Sequence, residues 1–280
     1  MKLGYSTWGT PTVPVDAIVR HLAGLGYQGV ELTVLSHHTT ALEKLTPDER
    51  RRIPKLLQEH NLELPAIAGH VSLMDEDPDS HAANLDRLKQ TIELAVEWAS
   101  PDGPPAIDTT AGGTPEDWDS RLDMLVARLQ EIAEYAQARD VVIALEPHVG
   151  SIIDTPDRTL ELLRRVGSDA LKVNFDISHF NVMGFSIEES VSKMAPHAVH
   201  THVKDERGTV PDFEFLIPGE GEFDYVTYLK SMRRHGYTGF ITPEISNMVQ
   251  RKPNYYPLAV ATQTYRTMAQ AFVDAGIERA

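Results

Sequence analysis

Residues 141–146 read Val-Val-Ile-Ala-Leu-Glu and residues 171–176 read Leu-Lys-Val-Asn-Phe-Asp. Between them lies an amphipathic stretch that opens at Thr155-Pro156-Asp157. Two short apolar runs joined by such a stretch are typical of a βα unit, in which a helix connects two parallel strands. The same alternation continues in both directions along the chain, so the sequence predicts a parallel sheet surrounded by helices.

Eight runs of this kind are found along the chain, at residues 2–7, 29–34, 64–68, 105–108, 141–146, 171–176, 198–203 and 239–244. Eight parallel strands close a (β/α)8 barrel, and 280 residues is close to the ~250 typical of that fold. The competing fold, a doubly wound open sheet, usually has a Gly-rich phosphate loop after an early strand, and residues 5–9 contain none. We therefore expect one α/β domain over residues 1–280, a (β/α)8 TIM barrel.

The expected helix boundaries agree with this register. Thr46-Pro47-Asp48-Glu49 and Ser186-Ile187-Glu188-Glu189 have the spacing of a capping box at a helix start. Gly167, just before residues 171–176, is typical of a left-handed helix end. The last helix is expected at about residues 258–275. Two proline-bearing segments, residues 73–80 and 205–221, are interpreted as long loops that could cover a site.

The composition narrows the classes of function. The net charge is −15, whereas nucleic-acid binders normally carry a basic face, so no nucleic-acid partner is expected. There is no cysteine, which leaves carboxylates, imidazoles and backbone oxygens as metal ligands. The chain has no apolar run of the ~20 residues that span a bilayer, and Met1 is not followed by a signal-peptide pattern. The expectation is a cytoplasmic enzyme without a membrane partner; a homo-oligomer is left open.

Four consecutive strands each end in a side chain that could bind a metal: Glu146, Asp176, His202 and Glu244. Active sites of TIM barrels lie at these carboxyl ends, and strand alternation puts the four side chains on the inward face. Buried carboxylates without compensation cost several kcal/mol each. One divalent cation would remove that cost. An oxygen-rich set of ligands favours Mn2+ or Mg2+, with Co2+, Fe2+ and Zn2+ as further candidates.

An ordered series of motifs carries a resemblance over nearly the whole chain. The series is Leu-Glu-Pro-His at residues 145–148, Asn-Phe-Asp-x-x-His at 174–179, His-x-His-x-Lys-Asp at 200–205, Pro-Gly-x-Gly-x-x-Asp at 218–224 and Pro-Glu at 243–244. In this order it resembles the sugar phosphate isomerase/epimerase family of the xylose-isomerase-like barrel superfamily. That family includes ketose 3-epimerases, hydroxypyruvate isomerases and inosose dehydratases.

The resemblance implies roles for particular residues. Glu146, Asp176, His202 and Glu244 are similar to the family's metal ligands, and Glu146 and Glu244 also to its proton-transfer pair. His179 is similar to a histidine that contacts the substrate. The implied function is a metal-dependent isomerase or epimerase of a sugar or polyol. Such an enzyme moves a proton next to a carbonyl through a metal-stabilised enediolate.

Further candidates for substrate binding lie at or near other strand ends: His148, His70, Lys204, Arg207, Glu31 and Trp8. Each also has an ordinary structural interpretation. His148 could support a ligand, Lys204 could pair with an acid, and Trp8 could be packing. Arg207 lies one position earlier than the substrate-binding arginine of many relatives.

Three other functions fit the same residues less closely. A lyase would use the same proton abstraction and then eliminate water or an aglycone. A nuclease of the endonuclease IV type would need several metals and extra histidines, and residues 108–113, Asp-Thr-Thr-Ala-Gly-Gly, offer none. A non-catalytic partner subunit would not need an intact ligand set. No Lys/Arg cluster indicates a phosphate, so a non-phosphorylated substrate is favoured.

Overall fold

The structure is a computed structural model that describes residues 1–279. Within this range one sheet contains eight parallel strands, which run in the spatial order β1-β10-β7-β6-β5-β4-β3-β2. Their bounds are β1 (Lys2–Leu3), β2 (Leu32–Thr33), β3 (Ala66–Ala68), β4 (Ala106–Thr110), β5 (Ile143–Glu146), β6 (Leu171–Asp176), β7 (Ala198–Val203) and β10 (Phe240–Pro243). The predicted (β/α)8 barrel is confirmed, since each strand overlaps one of the eight predicted runs.

The two ends of this sheet meet between β1 and β2, where the pairing is irregular. A single parallel bridge joins Ser6 to Glu31, and the amide of Thr7 donates to the carbonyl of Glu31 at 3.0 Å. Gly29 lies against the ring of Phe240; a Cβ there would be 2.4 Å from a ring carbon. A side chain at this position would displace the Phe240 ring. The irregular pairing explains why both strands are shorter than predicted.

Helices follow the strands and cover the outside of the barrel. Their bounds are α1 (Val15–Leu25), α2 (Pro47–Glu59), α3 (Pro78–Glu97), α4 (Trp118–Gln137), α5 (Pro156–Val166), α6 (Ile177–Val182), α7 (Ile187–Met194), α8 (Tyr225–Arg234), α9 (Asn247–Gln250) and α10 (Pro257–Ala275). Thr46 and Ser186 cap α2 and α7 as predicted, each accepting a hydrogen bond from the amide three residues later. Within residues 1–279, no helix is both long and apolar enough to cross a membrane.

Part of the segment interpreted as a loop, residues 205–221, is an antiparallel hairpin. Its strands are β8 (Asp205–Thr209) and β9 (Asp212–Leu216). The alternation of Asp212, Phe213, Glu214 and Phe215 is the period of a strand, which the interpretation as a loop missed. The hairpin stands over the carboxyl end of the barrel, beside α6.

Asp205 ties the hairpin to the loop that follows it. Its carboxylate accepts hydrogen bonds from the amides of Gly219 at 2.7 Å and Phe223 at 3.1 Å. A Cβ on Gly221 would lie 2.3 Å from an oxygen of Asp205, so only glycine fits there. The two glycines of the Pro-Gly-x-Gly motif therefore allow the loop to close over one buried carboxylate.

Glu206 is buried where the hairpin packs on α6. Its Oε1 accepts a hydrogen bond from the Asn181 amide at 2.8 Å. Burial raises the pKa of the Glu206 carboxyl to about 8, against the opposing effect of Asn181. The folded protein therefore holds this side chain protonated over much of the neutral range.

Phe175 shows how the alternation of β6 divides its side chains between two layers. Its neighbours Asn174 and Asp176 point into the barrel, whereas the ring of Phe175 packs outward against Phe180 at 6.2 Å and Tyr228 at 6.4 Å. The ring is fully buried. It connects the strand that carries Asp176 to the surrounding helices.

Replacing Phe175 by Ala is expected to lower the free energy of unfolding by about 3–5 kcal/mol, because a large buried ring is lost and a cavity remains. Urea denaturation monitored by circular dichroism measures this. Phe175→Leu fills much of the same space and is the matched control. A loss below 1 kcal/mol in Phe175→Ala would contradict this packing role.

Raising the pH is expected to destabilise the wild type relative to Glu206→Gln. The unfolded carboxyl ionises above its ordinary value of 4.5, while the folded one stays protonated to about pH 8. Between these values the free energy of unfolding falls by up to about 1.4 kcal/mol per pH unit, and Gln removes this contribution. Urea denaturation from pH 5 to 8 measures it. Glu214→Gln, a change at a half-buried acid of the same hairpin that pairs with Arg207, is the control; equal slopes in wild type and Glu206→Gln would refute the assignment.

Candidate metal centre

The four predicted ligands meet at the carboxyl end of the barrel. Asp176 and His202 are paired in register on β6 and β7, Glu146 ends β5, and Glu244 follows β10. One donor atom from each of the four lies within 4.8 Å of all the others, and all four side chains are buried. Nδ1 of His202 is 2.9 Å from Oε1 of Glu146 and 3.7 Å from Oε1 of Glu244.

The negative charge of this cluster is partly offset by the buried ammonium of Lys204. The Lys204 ammonium is bonded to the Asp176 carboxylate and lies 2.6 Å from Oε2 of Glu244. Burial opposes its charge, but these two acids outweigh burial and raise the pKa of Lys204. Burial likewise raises the pKa of Asp176, with Lys204 opposing. Lys204 is thus placed inside the cluster.

The residues fit a divalent cation. Three carboxylates and one imidazole are an oxygen-rich donor set of the kind that hard cations prefer. Oε2 of Glu146 has no hydrogen bond of standard geometry to the described residues, although Nε2 of His148 lies 2.8 Å away. Burial opposes ionisation of Glu146, but His148 and His202 outweigh it and hold its pKa well below the ordinary value.

His148 and His179 form one wall beside Glu146. Their rings are stacked with centroids 4.2 Å apart, and Phe215 of the hairpin meets His179 edge-on at 5.1 Å. Burial lowers the pKa of His179 well below its ordinary value, so this ring is neutral. His148 and His179 thus lie beside Glu146 at the edge of the cluster, and the sequence alone did not indicate that Phe215 packs against His179.

His70 and Trp8 form a second wall, with ring centroids 5.2 Å apart. Nε2 of His70 is 3.2 Å from Oδ2 of Asp108 and its Nδ1 is 4.0 Å from Oε2 of Glu146. Burial opposes protonation, but Asp108 and Glu146 outweigh it and raise the pKa of His70 to about 9. Both predicted residues therefore reach the site.

The sequence analysis missed Asp108. It is fully buried on β4, and within residues 1–279 its oxygens have no hydrogen bond of standard geometry, although Nε2 of His70 lies 3.2 Å from Oδ2. Burial raises its pKa, with His70 opposing. The feature of the sequence that could have indicated Asp108 is an acid near the end of a predicted strand. In the structure it is paired in register with Ala144 of β5.

Glu31 and Arg207 are the two predicted residues that lie apart from the pocket. Glu31 is fully buried behind His202, where its carboxylate is 3.0 Å from Nε2 of that ring. Arg207 is half exposed on the hairpin; it pairs with Glu214 at 3.0 Å and donates to the carbonyl of Glu220 at 2.8 Å. The structure brings the other predicted residues together around the cluster.

Comparison with known proteins identifies the fold family. The model of the xylose isomerase-like TIM barrel family matches residues 19–264. Over 264 residues the chain is 25% identical to the fructoselysine 3-epimerase of Escherichia coli O157:H7, which covers 91% of this chain and 94% of that protein.

Two solved structures have the same fold. A D-tagatose 3-epimerase-like protein superposes with a TM-score of 0.79 at 21% identity, over 99% of this chain and 98% of the other. The IOLI protein, solved with a zinc atom bound, superposes with a TM-score of 0.78 at 20% identity, over 98% of each chain. Since the family model covers most of its length, this chain belongs to the xylose isomerase-like TIM barrel family.

Proposed function

We propose that this protein is a divalent-metal-dependent isomerase or epimerase of a sugar or sugar-like polyol. The observation that carries the proposal is the buried convergence of Glu146, Asp176, His202 and Glu244 at the carboxyl end of the barrel. The similarity to a fructoselysine 3-epimerase over nearly the full length of both proteins supports the same class of reaction.

The four convergent residues would hold the cation, and we propose Mn2+ because three of the four donors are carboxylates. Mg2+, Co2+, Fe2+ and Zn2+ are the alternatives that metal analysis would separate. When bound, the cation supplies polarisation of a substrate carbonyl and stabilisation of negative charge on its oxygen.

Glu146 and Glu244 are the proposed proton-transfer pair. They come from β5 and the end of β10, with β6 and β7 between them, so their carboxylates approach the cluster from different sides. One carboxylate would remove a proton from the carbon beside the carbonyl, and the other would return a proton at the opposite face. Return of the proton to the same carbon would invert it; return to the former carbonyl carbon, with the hydroxyl proton passing to the other oxygen, would move the carbonyl along the chain of the sugar.

The surrounding side chains would bind and orient the substrate. His148 and His179 offer ring nitrogens beside Glu146, and Trp8 with His70 offers an apolar face and a cation on another wall. Lys204 would keep a positive charge next to the substrate oxygens. Arg207 is not included, because its guanidinium is engaged by Glu214. A non-phosphorylated substrate suits a pocket whose lysine is already paired with two acids.

The Mn2+-loaded protein is expected to incorporate deuterium from heavy water at the carbon beside the carbonyl of its substrate. A panel of ketoses, inososes and 3-keto-sugars analysed by mass spectrometry tests this, with a chelator as the control that abolishes exchange. Loss of the mass of water or of an aglycone would instead identify a lyase. Metal-loaded protein that exchanges with no member of the panel would count against the proposal.

Glu146→Gln and Glu244→Gln are each expected to lower kcat by about 10²–10⁴-fold, because a positioned proton-transfer group is lost while the shape of the side chain is kept. Steady-state rates are compared at equal metal content, determined by elemental analysis, since both residues are also proposed ligands. Glu214→Gln, a change at a half-buried acid of the hairpin outside the cluster, is the matched control. Full turnover in either test variant removes that residue from the proton-transfer role.

Binding of Mn2+ is expected to stabilise the folded protein by about 2.7 kcal/mol at a concentration one hundred times the dissociation constant. Thermal and urea denaturation with and without metal measure this. Asp176→Asn should lose most of the effect, whereas Asp154→Asn, a buried acid paired with Arg158 outside the cluster, should retain it. Equal stabilisation of both variants would place the metal elsewhere.

A further inference from the structure

We propose that Glu31 is a positioning residue of the metal centre, which holds the imidazole of His202 from behind so that Nδ1 faces the other ligands. The inference rests on the proposed role of His202 as a ligand. It gives Glu31 a function different from the substrate contact that the sequence suggested, since its carboxylate lies on the far side of that ring.

The two nitrogens of His202 face two different groups of acids. Nε2 lies 3.1 and 3.0 Å from the two carboxylate oxygens of Glu31. Nδ1 lies 2.9 Å from Oε1 of Glu146, on the side where the ligand cluster converges. The ring therefore stands between a single carboxylate behind it and the proposed metal position in front.

Both ring nitrogens of His202 face carboxylates, so the geometry alone allows a proton on each; once a cation takes the lone pair of Nδ1, a single tautomer of a neutral ring remains. An ionised carboxylate can only accept hydrogen bonds, so the ring nitrogen that faces Glu31 must carry the proton. The lone pair is then left on Nδ1, where a cation needs it. In the opposite tautomer the Nε2 lone pair would point at the carboxylate and an N–H would point at the metal position. Outer carboxylates that accept from a ligating histidine fix its orientation in this way and make it a better donor.

Glu31 is held firmly enough to position another group. Its side chain is fully buried, and the hydroxyl of Ser6 donates to Oε1 at 2.5 Å. Its amide donates to the carbonyl of Tyr5 at 2.9 Å, and its own carbonyl accepts from the amide of Thr7. The carboxylate thus belongs to the joint at which the barrel closes. A residue fixed at this joint transmits the geometry of the barrel to His202.

The competing explanation is that Glu31 only stabilises the barrel. Nε2 of His200 lies 3.1 Å from its Oε2, so the carboxylate could serve as the counter-ion of that buried ring. A purely structural role predicts a change in folding stability without any change in how a metal is bound. The test must therefore measure the metal and the ring of His202, as well as the stability.

The first measurement compares Mn2+ affinity in wild type, Glu31→Gln and Asp154→Asn by chelator competition, with folding checked by circular dichroism. Glu31→Gln keeps the shape and removes the charge; we expect it to weaken binding by about 10–100-fold. Asp154→Asn removes a buried acid outside the cluster and should leave the affinity unchanged. An unchanged dissociation constant in folded Glu31→Gln would overturn the inference.

The second measurement needs no variant. Wild-type protein labelled with 15N at histidine is loaded with Zn2+, and long-range 1H–15N spectra identify which nitrogen of His202 is protonated. We expect a proton on Nε2 and a metal on Nδ1; the reverse assignment would refute the role of Glu31. If the wild type binds no divalent cation, the metal centre itself fails. If the wild type binds metal and only these tests fail, the loss is confined to Glu31.

Discussion

The site depends on how three buried carboxylates are kept together. Asp176, Glu146 and Glu244 converge because parallel strands of a barrel bring their carboxyl ends to one face. Charges of the same sign in this volume repel one another, and burial deprives them of water. Two groups of the chain reduce this repulsion, namely the ammonium of Lys204 and the imidazole of His202. Each lies within a few ångströms of two of the acids. A divalent cation among the four ligands would offset the negative charge more fully than these two groups do.

The same electrostatic requirement extends into the closure of the barrel. β1 and β2 meet through the backbone of Glu31, whose side chain faces His200 and His202. The irregular joint of the sheet is therefore also one that contains a buried ion pair. The barrel and the ligand cluster are linked at this point.

Much of the fold could be predicted from the sequence because its signals are local. Each strand is a short apolar run, and the inward or outward direction of a side chain follows from counting by two. This placed Glu146, Asp176, His202 and Glu244 on one face, and the resemblance to the family is confirmed. The alternation of side chains along a strand does not say how far along the barrel axis each side chain lies. Glu31 was a candidate for the pocket, but it lies one layer below, behind His202.

Other features could not be predicted from the sequence because they depend on contacts between segments that are distant along the chain. The carboxylate of Asp205 organises a loop that begins fourteen residues later, which no local pattern reveals. Asp108 belongs to the site because its carboxylate contacts His70, which follows the neighbouring strand β3. Arginine is a residue type that often binds anions, yet Arg207 pairs with Glu214 of the same hairpin. In each case the partner, rather than the residue type, decides the role.

The two proposed proton-transfer residues lie in contrasting surroundings. The carboxylate of Glu146 faces imidazoles, with His148 at 2.8 Å and His202 at 2.9 Å, whereas that of Glu244 faces the ammonium of Lys204 at 2.6 Å. Imidazoles can pass protons near neutral pH, while a lysine ammonium whose pKa is raised provides a fixed charge. Within the proposed reaction, His148 thus gives Glu146 a neighbour through which its proton can exchange, whereas Glu244 has a fixed cation beside it. Carboxylates in contrasting environments are what an enzyme needs when one acid must accept a proton while the other releases one.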